Sequence, residues 1–169
     1  MIFSRKLFLT IFAAVLALGT ATAARSQAAA QRTPVTQPPM IGKNLYPPIN
    51  RADVDIKAAL ARARAEHKRI LLDFGGDWCG DCQVLDIYFR EQPNADILAK
   101  NFIKVNINIG QMDANLDIAH RYGVPIHGVP ALAVLSSSGN VLYSQDKEFS
   151  SMRYMQPTSV TEFLNKWKH

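Results

Sequence analysis

The two cysteines of the chain, Cys79 and Cys82, lie in the sequence Trp-Cys-Gly-Asp-Cys. A short apolar run ends just before this segment, and helical spacing of apolar residues resumes just after it. A cysteine at the start of a helix meets free backbone N–H groups and the positive end of the helix dipole, which stabilise its thiolate. Because the thiolate is the form that attacks disulfides, the pattern predicts a redox pair in which Cys79 attacks and Cys82 resolves the mixed disulfide.

Four other interpretations of the pair compete with this one. A structural disulfide across so short a loop stabilises a fold by about 2 kcal/mol, against nearly 5 for a loop of about 100 residues. A zinc site needs three or four ligands, and the four histidines are widely spaced. Haem attachment needs a histidine after the second cysteine, where Gln83 stands. Two inert thiols are disfavoured in an oxidising compartment. The redox pair is therefore favoured, and it needs no metal or organic cofactor.

The N-terminus has the pattern of an export signal. Arg5 and Lys6 precede an apolar run from Leu7 to Leu18, and small residues at the Ala-Thr-Ala sequence ending at Ala23 follow it. A membrane-spanning helix needs about 20 apolar residues, so this run favours a cleaved signal peptide over an uncleaved anchor. We expect residues 1–23 to be a signal peptide and the protein to be exported, in a bacterium to the periplasm.

The rest of the chain divides into a leader and one domain. Residues 24–50 are rich in proline, alanine and glutamine, which predicts a flexible leader, with Leu45 and Tyr46 as candidates to dock on the domain. Residues 51–169 have the length and composition of a single globular domain. The basic residues are scattered apart from a run on one predicted helix, which favours a solvated face and no nucleic-acid partner.

Periodicity predicts alternating helices and strands, followed by a hairpin and a last helix. The predicted elements are a helix from Asp53 to about His67 with Asp53 as its cap, a strand Ile70–Phe74, a helix after Cys79, a short helical turn at Ala95–Lys100, a strand Phe102–Ile107, a helix Ala114–Tyr122, a hairpin of Ala131–Leu135 with Val141–Tyr143, and a helix from Thr158 or Ser159 to Trp167. This order predicts an α/β fold with a mixed sheet covered by helices on both faces.

The segment from Leu71 to Cys82, in which Trp-Cys-x-x-Cys follows a strand, resembles the active site of the thioredoxin superfamily. It is especially similar to exported thioredoxin-like domains in which a helix leads directly into that strand, and the resemblance covers roughly residues 53–168. The resemblance implies the thioredoxin fold and dithiol–disulfide exchange with protein substrates. A reductant in an oxidising compartment must be recharged, so we also expect a membrane electron-transfer partner.

Two charged residues match positions of functional residues in that family. Asp73 stands where thioredoxins keep a buried carboxylate that accepts the proton of the resolving cysteine, and burial should raise its pKa. Lys104 stands where the family places a lysine close to this carboxylate. The alternatives are an aspartate held in a structural salt bridge and an ordinary strand-edge lysine.

The resemblance also implies residues that bind the client, the protein substrate whose disulfide is exchanged. They are Trp78, Val129 and Pro130. The family has a cis-proline facing the redox pair, and Pro130 fits because it abuts an apolar strand, although Pro125 follows a similar Gly-Val pair. The backbone of Val129 would then pair with an extended substrate chain. Trp78 is expected at the rim of the site, with packing against the first helix as the alternative.

Four residues near the pair depart from the usual pattern or lack a clear role. Asp81 replaces the usual proline, and an anion there should disfavour the thiolate, which favours a reductant unless nearby dipoles reverse the effect. Gly75 replaces a common aromatic residue and is expected to open the site. Asp77 is expected at the surface. His127 is expected as a solvated loop residue, with proton transfer near the cysteines as the alternative.

These observations together predict a thiol–disulfide oxidoreductase that acts as a reductant. An oxidase or isomerase that uses the same site stays open, because the residues do not fix the direction of electron flow. A non-catalytic module that holds peptides at the cis-proline also stays open.

Overall fold

The computed structural model describes residues 44–145 and 147–168. The predicted signal peptide and the leader up to residue 43 lie outside the described residues. The helices are α1 (Ala52–Glu66), α2 (Gly80–Arg90), α3 (Asn94–Asn101), α4 (Leu116–Arg121) and α5 (Pro157–Trp167), and the strands are β1 (Arg69–Gly75), β2 (Phe102–Asn108), β3 (Ala131–Leu135) and β4 (Val141–Gln145). Within these ranges no helix is both long enough and apolar enough to cross a bilayer.

The four strands form one mixed sheet in the order β2-β1-β3-β4. β1 pairs in parallel with β2, whereas the β1–β3 and β3–β4 pairs are antiparallel. The predicted hairpin of the last two strands is thereby confirmed. β1 and β3 are central and are buried almost along their whole length, which explains why they are short continuous apolar runs.

Helices cover both faces of this sheet, as the sequence predicted. Ile70, Leu72 and Phe74 of β1 pack in one apolar cluster with residues of α1 and α4. Leu71 packs in the other cluster, with residues of α2, α3 and α5. Because side chains alternate along a strand, Asp73 points to the same face as Leu71, toward α2. The active-site helix therefore lies directly over this carboxylate.

Two predicted helix caps are wrong, and α4 begins two residues later than predicted. α1 begins before Asp53, so this residue is not the cap; it lies in the first turn, 3.2 Å from Arg121. A carboxylate in that position still suits the positive end of the helix. α5 begins at Pro157, so neither Thr158 nor Ser159 caps it. Proline fits the first turn of a helix because no backbone N–H is needed there.

The segment of residues 44–48, which precedes α1, contacts the domain as expected for Leu45 and Tyr46. The side chain of Tyr46 is buried in the apolar cluster that also contains Cys79 and Cys82. Asn106 and Asn108 of β2 donate hydrogen bonds to the carbonyls of Leu45 and Pro47, at 2.8 and 3.0 Å. This segment is therefore bound to β2 through side chains of that strand.

Candidate active site

The cysteine pair lies where the loop after β1 leads into α2. Cys79 has extended backbone geometry and caps the helix, and its sulfur accepts the N–H of Cys82 at 3.0 Å. The two residues form a disulfide. Cys79 retains 5% exposure, whereas Cys82 is completely buried. A partner can therefore reach only the first sulfur, which fits the predicted order of attack by Cys79 and resolution by Cys82.

The environment of Cys79 favours an ionised sulfur after reduction. The N–H of Cys82, in the first turn of α2, donates to its sulfur, and the helix dipole adds to this effect. On the other side, its sulfur lies 3.7 Å from the carbonyl oxygen of Val129. A thiol donates to that carbonyl, and a thiolate accepts from the helix, so both protonation states have a partner.

Asp73 is completely buried and stands in β1 two residues before Gly75, which contacts the sulfur of Cys82. Its Oδ1 accepts a hydrogen bond from the hydroxyl of Tyr46 at 2.9 Å, and its Oδ2 lies 3.1 Å from Nζ of Lys104. Burial raises the pKa of Asp73, while Lys104 and Tyr46 act in the opposite direction without cancelling the effect. The structure thus brings together the carboxylate and the lysine that the sequence singled out; their roles in exchange stay predictions.

Lys104 is shared by two carboxylates. Its Nζ lies 3.5 Å from Oδ1 of Asp86 and also donates to Asn106 of the same strand. Asp86 is nearly buried and pairs in addition with Arg90 on the next turn of α2. Sequence reasoning assigned no role to Asp86, although its position four residues after Cys82 places both on one face of α2.

Tyr46 is the second residue of the site that sequence reasoning did not assign, and it corrects the expectation for Gly75. A Cβ on Gly75 would lie 2.4 Å from the Tyr46 hydroxyl and 2.7 Å from the sulfur of Cys82. Gly75 therefore does not open the site to solvent, because the space that its missing side chain leaves is filled by the tyrosine. The sequence held an indication of this packing. Glycine occupies the position at which an aromatic residue is common, and an aromatic residue is present instead in the segment before α1.

Asp81 is also found in an environment that the sequence did not indicate. The carboxylate is nearly buried and is bound by Arg153: the backbone N–H donates to Oδ1 at 3.0 Å, and the guanidinium donates to Oδ2 at 2.8 Å. The expected effect of this anion on the cysteines is therefore weakened, because its charge is paired with that of Arg153. The guanidinium arrives from the short helical turn Met152–Tyr154, which packs on α2.

The predicted client-binding residues lie around Cys79. Trp78 is 45% exposed and its indole N–H donates to the carbonyl of Gly110, which favours the rim over a position in the core. The Val129–Pro130 bond is cis, as chosen from the sequence, and a second cis bond at Gln92–Pro93 was not predicted. Client binding by these residues stays a prediction.

The two remaining polar residues singled out near the cysteines are exposed. Asp77 lies at the surface as expected, and its Oδ1 accepts the backbone N–H of Tyr46 at 3.0 Å. It therefore links the loop before α2 to the segment before α1. His127 is exposed in the loop before β3, which agrees with the interpretation favoured from the sequence.

Known proteins share this architecture. A family model described as thioredoxin-like matches residues 50–137. The crystal structure of a disulphide isomerase from Xylella fastidiosa Temecula1 is 37% identical and covers 75% of this chain and 98% of its own, with a TM-score of 0.70. Thioredoxin-T of Drosophila melanogaster is 34% identical over 104 residues, which are 58% of this chain and 55% of that protein.

A longer bacterial protein matches the same region. The thiol:disulfide interchange protein DsbD of Pseudomonas fluorescens is 24% identical over 119 residues, 69% of this chain and 19% of that protein. DsbD 2 of Pseudomonas aeruginosa is 29% identical and is matched over 18% of its length. This chain therefore spans about a fifth of the DsbD proteins and about half of Thioredoxin-T.

Proposed function

Because the chain belongs to the thioredoxin-like family of disulfide oxidoreductases and has the thioredoxin fold, we propose that it reduces disulfides in exported proteins through Cys79 and Cys82. The observation that carries the proposal is the pair itself. One sulfur is reachable at the start of α2, and the other is buried behind it. The client, by which we mean the protein whose disulfide is reduced, binds beside Trp78, Val129 and Pro130.

The proposed reaction proceeds through a mixed disulfide. The Cys79 thiolate attacks one sulfur of the client disulfide; the other client sulfur leaves as a thiolate and takes a proton from water. Cys82 then passes its proton to Asp73 and attacks the sulfur of Cys79, so that the second client sulfur leaves. Two electrons have moved from the pair to the client, and the enzyme is left with the Cys79–Cys82 disulfide.

The charges around the pair support the reducing direction. A strong oxidant of this kind needs a strongly stabilised reduced form. Here the guanidinium of Arg153, which lies beside Gly80, is engaged by both oxygens of Asp81, so its charge is balanced and is not directed at Cys79. The buried Asp73 carboxylate adds negative charge beneath the site. An ionised Asp73 disfavours a thiolate on the cysteines, and the balanced guanidinium adds no positive charge to offset this.

Export and an electron donor in the membrane complete the proposal. The basic and apolar N-terminus supports export, and the matched proteins named thiol:disulfide interchange protein support exchange between thiols and disulfides. Because each turnover leaves the pair oxidised, a dithiol must reduce it again. Fractionation of cells that express the full chain, with detection of the processed form, tests the location.

Insulin reduction and the midpoint potential of the pair test the activity and its direction. We expect wild type to reduce insulin with dithiothreitol as the electron source, Cys79→Ser to be inactive, and Cys82→Ala to accumulate mixed disulfides. We expect a potential nearer to about −270 mV than to about −120 mV. Equal inactivity of wild type and Cys79→Ser on several clients would favour a peptide-binding module, and a potential at the upper end would favour an oxidase.

An isomerase is the second candidate, and it is favoured by the 37% identity to the Xylella protein, which is named a disulphide isomerase. In isomerisation the Cys79 thiolate attacks a client disulfide, and a different client thiolate then attacks the client sulfur bound to Cys79, so that a new client disulfide forms and the Cys79 thiolate leaves. The resolving cysteine is not needed. Refolding of scrambled ribonuclease by Cys82→Ala decides between the two. A reductase loses productive turnover with this variant, whereas an isomerase retains a substantial part of it.

A further inference from the structure

Tyr46 contacts the buried part of the active site from a segment outside the helices and strands of the domain. Its side chain is only 4% exposed, and its hydroxyl donates to Oδ1 of Asp73 at 2.9 Å. Lys104 approaches the other oxygen of that carboxylate. The carboxylate is thus held between a neutral donor and a cation that arrive from different parts of the chain.

Three hydrogen bonds fix the backbone on either side of this tyrosine. The N–H of Tyr46 donates to Asp77, which stands just before the Trp-Cys-Gly-Asp-Cys segment. Asn106 and Asn108 of β2 bind the carbonyls of Leu45 and Pro47. A tyrosine held at its own N–H and at both neighbouring carbonyls has a defined position, so its hydrogen bond to the carboxylate is a fixed feature of the site.

The same hydroxyl lies next to the resolving cysteine. The Tyr46 oxygen and the Cys82 sulfur lie 2.4 and 2.7 Å from the point that a Cβ on Gly75 would occupy. The two atoms are therefore at most about 5 Å apart. The tyrosine oxygen is close to Cys82, which must lose a proton, and is hydrogen-bonded to Asp73, the group proposed to accept it.

We propose that Tyr46 is a positioning residue for disulfide exchange: its hydroxyl holds the Asp73 carboxylate beside Cys82 and stabilises its ionised form, so that the proton of Cys82 is accepted near neutral pH. This inference rests on the proposed function and adds to it a residue from the segment before the domain. Tyr46 acts through Asp73 and takes no part in bond exchange itself.

The charges that face Asp73 from each packed element decide the sign of the effect. Burial raises the pKa of Asp73, and Asp86 of α2 adds to this, whereas Lys104 of β2 and the Tyr46 hydroxyl lower it. The pKa of Tyr46 itself is raised well above its ordinary value by burial, by Asp73 and, more weakly, by Asp86 and Asp77. The phenol therefore stays protonated and remains a donor when the carboxylate is ionised, and its removal must raise the pKa of Asp73 further.

Tyr46→Phe tests the proposal because it keeps the ring and removes only the oxygen. In single-turnover experiments we expect resolution of the mixed disulfide to slow by about tenfold at pH 7, with its pH profile displaced upward by about one unit. Attack by Cys79 should change little. The matched control is Tyr88→Phe, which removes a buried hydroxyl that donates to the carbonyl of Met155, away from Asp73. Urea unfolding of both variants verifies that they are folded.

A double-mutant cycle with Asp73→Asn separates a positioning role from a structural one. If Tyr46 acts through the carboxylate, Tyr46→Phe has no further effect on resolution once Asp73 is asparagine. The inference is overturned if the two substitutions multiply, or if Tyr46→Phe leaves the pH profile of resolution in place.

Titration of the Asp73 carboxyl carbon by NMR in the oxidised protein gives a readout that does not depend on exchange. An upward shift in Tyr46→Phe supports the inference even if no client is reduced, in which case only the proposed function fails. If the protein reduces clients but the titration of Asp73 is not shifted in Tyr46→Phe, the proposed function stands and the inference about Tyr46 is wrong.

Discussion

At the scale of single residues, the site combines buried charges that a stable fold would avoid. Asp73 has no exposure, and its carboxylate is supported by one hydroxyl and one ammonium group. An ionised carboxylate in such a place is unfavourable unless all of its lone pairs are satisfied. The raised pKa of Asp73 is the measure of that conflict. The raised pKa makes Asp73 the stronger proton acceptor that the proposed mechanism needs, and its physical counterpart is reduced stability at pH values above the folded-state pKa.

Asp73→Asn is expected to stabilise the protein at alkaline pH and to impair exchange. A carboxyl whose pKa is higher in the folded than in the unfolded state binds more protons when folded, so stability falls as pH rises through the folded pKa. Asparagine lacks this titration. At pH 8 the free energy of unfolding of the variant should exceed that of wild type by roughly 1.4 kcal/mol for each unit by which the pKa of Asp73 is raised. Below about pH 4 this difference should vanish. Urea unfolding across pH measures this. Asp96→Asn, at an exposed site on α3, should show no such trend.

Asp81→Asn is expected to make the pair more oxidising. The substitution removes the negative charge that balances Arg153, so the positive charge beside Gly80 is no longer offset and a thiolate on Cys79 becomes more favourable. An interaction of about 1 kcal/mol at a partly exposed site corresponds to roughly 20 mV. Equilibration with glutathione measures the change. Asp117→Asn, which removes the same charge from an exposed pair on α4, is the control. A potential that moves downward or stays fixed contradicts this account.

At the scale of elements, three segments meet at the end of β1. The segment 44–48 brings Tyr46, the start of α2 brings Cys82, and β1 ends in Gly75 between them. The parallel pairing of β1 with β2 places Asn108 beside Gly75 and Asn106 beside Asp73, so the residues that bind the segment are in register with the site. Because Gly75 has no side chain, the segment 44–48 can reach the buried carboxylate of Asp73.

Gly75→Ala is expected to destabilise the oxidised protein by about 1 to 3 kcal/mol. The added methyl group would meet the Tyr46 hydroxyl and the Cys82 sulfur at distances that require both to move. Gly80→Ala is the matched control within the same active-site region, because the nearest atom to its Cβ is 3.9 Å away. Its effect should stay within about 0.5 kcal/mol. Guanidinium unfolding compares the two, and equal stability of both variants would show that Gly75 is not a packing requirement.

At the scale of the whole molecule, the predictions that succeeded rest on short-range patterns. The cysteine pair, the apolar run of β1 and the hairpin are each visible within a few neighbouring residues, and their order is enough to predict the sheet and its two covered faces. The contacts of Asp73 with Tyr46 and of Asp81 with Arg153 span 27 and 72 residues. No local pattern records such pairs, because they arise only once the sheet and helices have packed.

Oxidation state should alter the stability of the entire domain. A thermodynamic cycle links folding to reduction of the pair. If the disulfide is harder to reduce in the folded than in the unfolded protein, the oxidised form is more stable toward unfolding than the reduced form by that difference in reduction free energy. For a reductant we expect the oxidised form to be more stable, on the order of the 2 kcal/mol typical of so short a loop. Denaturant unfolding of the oxidised and reduced forms measures the difference. A more stable reduced form would match an oxidant and contradict the proposed direction.

The partners of Asp73 and Asp81 have a consequence for how members of this family diverge. The region shared with the family starts at residue 50 and ends at residue 137, so Tyr46 and Arg153 both come from the flanks of that region. Substitutions outside the matched region can thus change the charges around the cysteines while the framework of strands and helices stays the same. A chimaera that carries these two flanks on a related framework should acquire the pKa of the buried carboxyl and the midpoint potential of the cysteine pair that this protein has.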